Sequence, residues 1–79
     1  MEKTILVVDD DEMMRTVLSK LLTTAGYLVF AAADGAEALQ LIRDHSIKVA
    51  FLDLNLPDMN GIVLCREIRQ ANPVICCFA

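Results

Sequence analysis

A parallel α/β fold, with strands and helices alternating as βαβαβαβ in a doubly wound sheet, is predicted by three features of this sequence. Thr4 to Val8 is a β-branched and aliphatic run without polar alternation, the pattern of a central parallel strand covered on both faces, and Val49 to Leu52 is a short apolar run that stops at Asp53. The segments between the strand-like runs carry apolar residues at helical spacing. Each run also stops abruptly at acids or turn formers, so strand and helix alternate with short connections. Such alternation implies right-handed crossovers and helices on both faces of one sheet.

The first strand, Thr4 to Val8, ends at Asp9, Asp10 and Asp11. Met13, Met14, Val17, Leu18, Leu21, Leu22 and Ala25 then recur at helical spacing, with Arg15, Ser19 and Lys20 on the other face. Asp11 reads as the N-cap of this helix, the Met pair as core, and Gly26 as its C-terminal stop. Tyr27 to Ala31 is the second strand. Asp34-Gly35-Ala36-Glu37 offers a capping box for a second helix carrying Ala38, Leu39, Leu41 and Ile42. That helix ends near Asp44 and His45, where the single His is expected to be solvated.

Val49 to Leu52 forms the third strand and stops at Asp53. Leu54 to Gly61 is a loop dense in turn formers. Ile62, Cys65, Ile68 and Arg69 mark a third helix, which Asn72-Pro73 terminates. Val74 to Phe78 is the fourth strand, followed by Ala79. Neither an internal repeat nor a linker interrupts the chain, so residues 1–79 are read as one domain.

Hydrophobic residues make up 56% of the 79 residues, yet aromatics only 5%, so the apolar content is aliphatic and suits strands buried on both faces. The net charge of -4 sets up a field that repels nucleic-acid phosphates and anionic membranes, so neither is expected as a direct partner. The apolar run before the first acids is too short for a secretory signal, and Thr, Gly and Asp break the longest apolar region, Leu21 to Ala33. A cytoplasmic protein is expected. Cys65, Cys76 and Cys77 show no CxxC spacing and are expected to be buried, reduced thiols.

In open parallel sheets, ligands gather beyond the carboxyl ends of the strands. Asp9 and Asp10 follow the first strand and Asp53 the third. If those strands are neighbours, three carboxylates crowd one pocket, and their repulsion is relieved by a cation. A hard divalent ion such as Mg²⁺, or Mn²⁺ in its place, prefers oxygen ligands. The same ion can bridge to a phosphoryl oxygen while one carboxylate attacks phosphorus.

Three segments carry a resemblance to a known family, one of them Asp34-Gly35 followed by Ala36-Glu37-Ala38-Leu39, which resembles that family's second-helix entry. ILVVDDDEMMRTVLSKLLTTAGY resembles the first strand, acidic pair and first helix of response-regulator receiver domains. VAFLDLNLPDMNGIVLCREIR resembles their phosphoacceptor strand and loop, with Asp53, Pro57 and Gly61 at the matching spacing. The resemblance implies a flavodoxin-like sheet of strand order 2-1-3-4 over this chain, with Asp53 as the phosphorylated nucleophile. It implies that Asp10 binds Mg²⁺ directly, that Asp9 helps through water, and that the main-chain carbonyl of Asn55 completes the shell. Pro57 and Gly61 would shape the site loop. It further implies two-component phosphorelay signalling, with a histidine kinase or phosphotransfer protein as donor and no enzymatic turnover of its own.

Two departures accompany the resemblance. The family has Thr or Ser where Phe78 stands, and its fifth strand, last two helices and the lysine after the fifth strand have no counterpart here; Lys3, Lys20 and Lys48 lie elsewhere. A receiver truncated after the fourth strand, without an output domain, is therefore expected, and part of the Ile5 and Val7 side or the Leu6 and Val8 side is expected to be uncovered. Self-association into a homodimer, by edge pairing of fourth strands or exchange of elements, would cover it. The alternative function is a degenerate receiver acting as an interaction module, or an inactive truncated product. A haloacid-dehalogenase-type phosphatase, suggested by Asp9-Asp10-Asp11, is disfavoured because Met13 stands where Thr or Val is needed.

Overall fold

The computed structural model describes residues 3–78, except the side chains of Cys76 and Phe78. The elements are β1 (Thr4–Val8), α1 (Glu12–Thr24), β2 (Leu28–Ala32), α2 (Gly35–Asp44), β3 (Val49–Leu52), α3 (Gly61–Ala71) and β4 (Cys76–Phe78). The four strands pair in parallel in the order β2-β1-β3-β4, as the resemblance implies. β1 is central and buried along its whole length, consistent with its unbroken aliphatic run.

The main core fills one face of the sheet. Leu6 and Val8 of β1 and Ala50 and Leu52 of β3 pack with Ala38 and Ile42 of α2 and Leu64 and Ile68 of α3. α1 covers the opposite face, against β1 and β2, but less completely. No β1 side chain is uncovered, contrary to expectation: Ile5 and Val7 are buried as fully as Leu6 and Val8. The thin cover shows instead as a cleft of about 340 Å³ lined by Val7, Leu18, Leu22, Phe51 and the strand-end acids Asp9 and Asp53.

The phase of α1 also differs from the sequence reading. Its inward residues are Arg15, Leu18, Ser19 and Leu22, all half-buried, and no residue of the helix is fully buried. Met13 is 74% exposed and Met14 43%, so the Met pair is not core. The apolar arc is wider than the contact: Met13, Val17 and Leu21 lie about 100° around the helix from the Leu18 and Leu22 row that meets the sheet. Polar residues at the matching turns, Arg15 and Ser19, are carried inward with that row.

Three further boundaries and burials shift. β2 starts at Leu28, since Gly26 and Tyr27 are used to close α1: Gly26 has φ 99°, its N–H donates to Thr23 O at 3.0 Å, and the Tyr27 N–H donates to Leu22 O at 3.1 Å. This is a Schellman closure, which requires a left-handed residue at its centre. On α3 the buried position is Leu64, while Ile62 is 62% exposed. β4 begins at Cys76, because Pro73 and Val74 form a turn that leaves Val74 75% exposed. Cys65 and Cys77 are free thiols but only half-buried, and burial and the adjacent Cys65 thiol push Cys77 up to about 11.

The helix starts follow local chemistry. Asp11 Oδ1 accepts the Met13 and Met14 N–H groups at 2.9 and 3.4 Å, as an N-cap. Asp34 Oδ1 accepts the Glu37 N–H at 2.8 Å, while Glu37 Oε1 reaches back to the Ala33 N–H at 2.8 Å rather than to that of Asp34. The two N–H groups left at the start of α2, on Gly35 and Ala36, donate to Asp58 Oδ1 and Oδ2 at 2.9 and 3.0 Å. His45, exposed at the end of α2, stacks on Phe30 with ring centroids 4.1 Å apart.

Leu64→Ala is expected to lower the unfolding free energy by about 2–5 kcal/mol in urea titrations, as for other fully buried leucines. Ile62→Ala should change it by less than about 0.5 kcal/mol, because its side chain is largely solvated. The backbone N–H of Gly35, with that of Ala36, holds the Asp58 carboxyl below its ordinary value of 3.8. Folding thus favours its ionised form, so its contribution is complete above 3.8 and lost as pH falls through the lower folded value. A carboxyl-carbon NMR titration should place the Asp58 midpoint below 3.8, and Asp58→Asn should make stability less pH-dependent in that window.

Candidate functional site

β1 and β3 are adjacent and parallel, with Val8 opposite Leu52, so the residues after them leave the sheet at the same level. Asp9 and Asp53 keep their N–H groups on the ladder: Asp9 N donates to Ala32 O at 3.1 Å and Asp53 N to Val8 O at 2.9 Å. Their side chains are thereby fixed at the carboxyl edge, where a parallel sheet places its ligands. Asp10, one residue on, is exposed beside them.

Asp9, Asp10 and Asp53 each offer a carboxylate oxygen, and these oxygens lie within 4.8 Å of one another. Oxygens on opposite sides of a Mg²⁺ ion are about 4.2 Å apart, from bonds of about 2.1 Å. The cluster therefore fits an ion that takes some carboxylates directly and another through water. Receiver domains bind Mg²⁺ at such an acidic cluster. Half of the Asp9 and Asp53 carboxylates is already engaged: Asp9 Oδ1 accepts the Asp11 N–H at 2.9 Å, and Asp53 Oδ1 accepts the Asn55 N–H at 3.1 Å. These bonds fix both side-chain directions and leave Oδ2 of each available.

The loop after Asp53 is folded tightly. Asn55 and Asn60 form an antiparallel bridge, and the Gly61 N–H donates to Leu54 O at 2.9 Å. A Cβ at Gly61 would lie 2.5 Å from the Asp53 carbonyl oxygen, so only glycine lets α3 start against the end of β3. Asn60 then caps α3 by accepting the Ile62 N–H at 2.6 Å. Leu56 is buried beneath the loop, while Pro57 is exposed at its turn.

Of the residues singled out in the sequence, the structure brings together Asp9, Asp10 and Asp53, with Asn55 two positions on and Gly61 in contact with Asp53. Lys3 and Lys48 sit at the opposite end of the sheet, and Lys20 is exposed on α1. The Phe78 side chain and Ala79 lie outside the described residues. Two neighbours of the site were not foreseen. Arg15 Nη1 donates to the Asp9 main-chain oxygen at 2.8 Å, although its charge suggested the outer face of α1. Asp58, read as a turn former, reaches residues 23 and 22 positions earlier, a pairing no local pattern signals.

Among the described residues, no helix is long and apolar enough to cross a membrane. Comparison with known proteins places this geometry. The family profile for the response regulator receiver domain matches residues 5–79. The aerobic respiration control protein ArcA of Escherichia coli K12 is 44% identical over 69 residues, which cover 86% of this chain and 29% of that protein. The chain thus spans less than a third of that relative's length. A CheY-like receiver domain from Methanospirillum hungatei JF-1 superposes with a TM-score of 0.95 at 32% identity, over 98% of this chain and 62% of that one. A response regulator from Burkholderia pseudomallei, solved with a phosphorylated aspartic acid, a calcium ion and citrate, gives a TM-score of 0.90 at 29% identity, over 96% of this chain and 45% of that one. With its four parallel strands in this order and three carboxylates at their carboxyl edge, the chain belongs to the response regulator receiver domain family of two-component systems.

Proposed function

We propose that Asp53 accepts a phosphoryl group from a phosphohistidine of a histidine kinase or phosphotransfer protein. The observation that carries this reading is the meeting of Asp9, Asp10 and Asp53 within 4.8 Å at the ends of adjacent strands. Asp53 Oδ1 is turned back onto the Asn55 N–H, which leaves Oδ2 as the attacking atom. The Asp53 oxygen forms a bond to phosphorus as the bond from phosphorus to the donor imidazole nitrogen breaks, and the imidazole leaves with the electron pair. Asp10, Asp53 and the Asn55 carbonyl would hold Mg²⁺ or Mn²⁺ directly and Asp9 through water, and the bound ion would supply charge neutralisation to the phosphoryl oxygens. The phosphorylated aspartate of the Burkholderia pseudomallei regulator supports the same role for Asp53.

The domain acts stoichiometrically, as an acceptor rather than an enzyme with turnover, and works through protein partners in the cytoplasm. Its net charge of -4 disfavours direct contact with nucleic acid. The second reading, an interaction module independent of phosphorylation, is favoured by Phe78, which has no hydroxyl to offer a phosphoryl oxygen. Self-association is part of the proposal: β2 and β4 end the described sheet, and Met13, Val17 and Leu21 project from α1 into solvent.

Incubation with acetyl phosphate and Mg²⁺ should add the mass of one phosphoryl group, and Asp53→Ala or a chelator should abolish the gain. Folded protein that gains no mass would exclude the acceptor reading and leave the interaction module. Multi-angle light scattering of this chain at micromolar concentration should give a dimer mass; a monodisperse monomer would remove self-association from the proposal.

A further inference from the structure

The loop that follows Asp53 is tied at its tip to an element distant in sequence. Asp58 divides its carboxylate between two main-chain donors, Oδ1 on the Gly35 N–H at 2.9 Å and Oδ2 on the Ala36 N–H at 3.0 Å. These are the first two residues of α2, whose N–H groups have no partner within the helix. The local cap, Asp34, serves only the Glu37 N–H, so the start of α2 is complete only when the loop is docked on it. Beside this contact Met59 lies over Gly35, where an added Cβ would be 2.6 Å from its Sδ. Polar and steric fit thus coincide at one place.

The other end of this tie reaches the acidic cluster. α2 follows β2, whose last residue, Ala32, accepts the Asp9 N–H at 3.1 Å. Asp58 therefore fastens the loop carrying Asn55 to the corner that also anchors Asp9. Between Asp53 and Asp58 the chain has few alternatives: Asn55 is bridged to Asn60, and Leu56 is buried. We infer that Asp58 is a positioning residue, which presets the Asn55 segment relative to Asp9, Asp10 and Asp53 and so raises the affinity of the cluster for a divalent cation. The inference rests on the proposed function, since it takes the cluster to bind such an ion.

Mn²⁺ binding to the full chain, read by electron paramagnetic resonance, tests it. Asp58→Ala should weaken Mn²⁺ affinity by about tenfold or more, the range found when a group supporting a metal ligand is removed. Asp58→Asn keeps one acceptor oxygen and should fall between Asp58→Ala and the wild type. At saturating Mn²⁺ the variants should accept phosphoryl groups from acetyl phosphate at close to the wild-type rate, a split that a merely destabilised fold would not give. Gly35→Ala, which displaces Met59 while keeping the N–H that Asp58 accepts, should weaken affinity in the same direction. Should Asp58→Ala fail to fold, Asp58→Asn and Gly35→Ala carry the test. Folded variants that bind Mn²⁺ within twofold of wild type overturn the inference alone, whereas a wild-type chain that binds no Mn²⁺ overturns the metal-site reading together with it.

Discussion

The parallel pairing of β1 with β3 is the constraint on which the rest of the site depends. Because Val8 stands opposite Leu52, Asp9 and Asp53 leave the sheet side by side, each still bonded through its N–H to a neighbouring strand. A slip of one residue would exchange the faces of every side chain on a strand, sending Leu6 and Val8 out of the main core. The packing that fixes the core therefore fixes the spacing of the acids. Holding three carboxylates this close costs free energy in electrostatic repulsion, which a bound divalent cation would offset. Stability and function meet at the same strand ends.

Around that pairing the loops are closed by contacts to main-chain groups. The Asp53 carbonyl sits where a Gly61 side chain would be, Asn60 starts α3, and Asp58 completes α2. The loop thus joins two helices and a strand through polar contacts at its surface, which can rearrange at lower cost than a packed core. The opposite face is less complete, with a cleft over Val7 and Phe51 and an α1 that buries none of its residues fully. Each large aliphatic left in water forgoes about 1.5–3 kcal/mol of burial, so this face is the natural place for further packing.

The fold was legible because its signals are local and redundant. The apolar runs of β1 and β3, the acids that end them, the caps at Asp11 and Asp34 and the glycine after α1 each act within a few residues. The acidic cluster followed from strand adjacency, and the resemblance to receiver domains supplied that order. What the sequence concealed depends on contacts far along the chain. The apolar arc of α1 is wide enough to admit two phases, and the sheet selects the one that turns Arg15 and Ser19 inward and leaves Met13 in solvent. Ile62 and Leu64 are equally apolar, and only the packing against α2 and the sheet decides that Leu64 is core. Asp58 resembled any other turn residue until folding brought Gly35 and Ala36 to it.

On this reading the three carboxylates form one divalent site at Asp53, and a crystal of this chain grown with Mn²⁺ decides it. Anomalous scattering should show a single ion in contact with Asp10, Asp53 and the Asn55 carbonyl, with Asp9 joined through water. An ion bound elsewhere, or none at a concentration that saturates receiver sites, would contradict it.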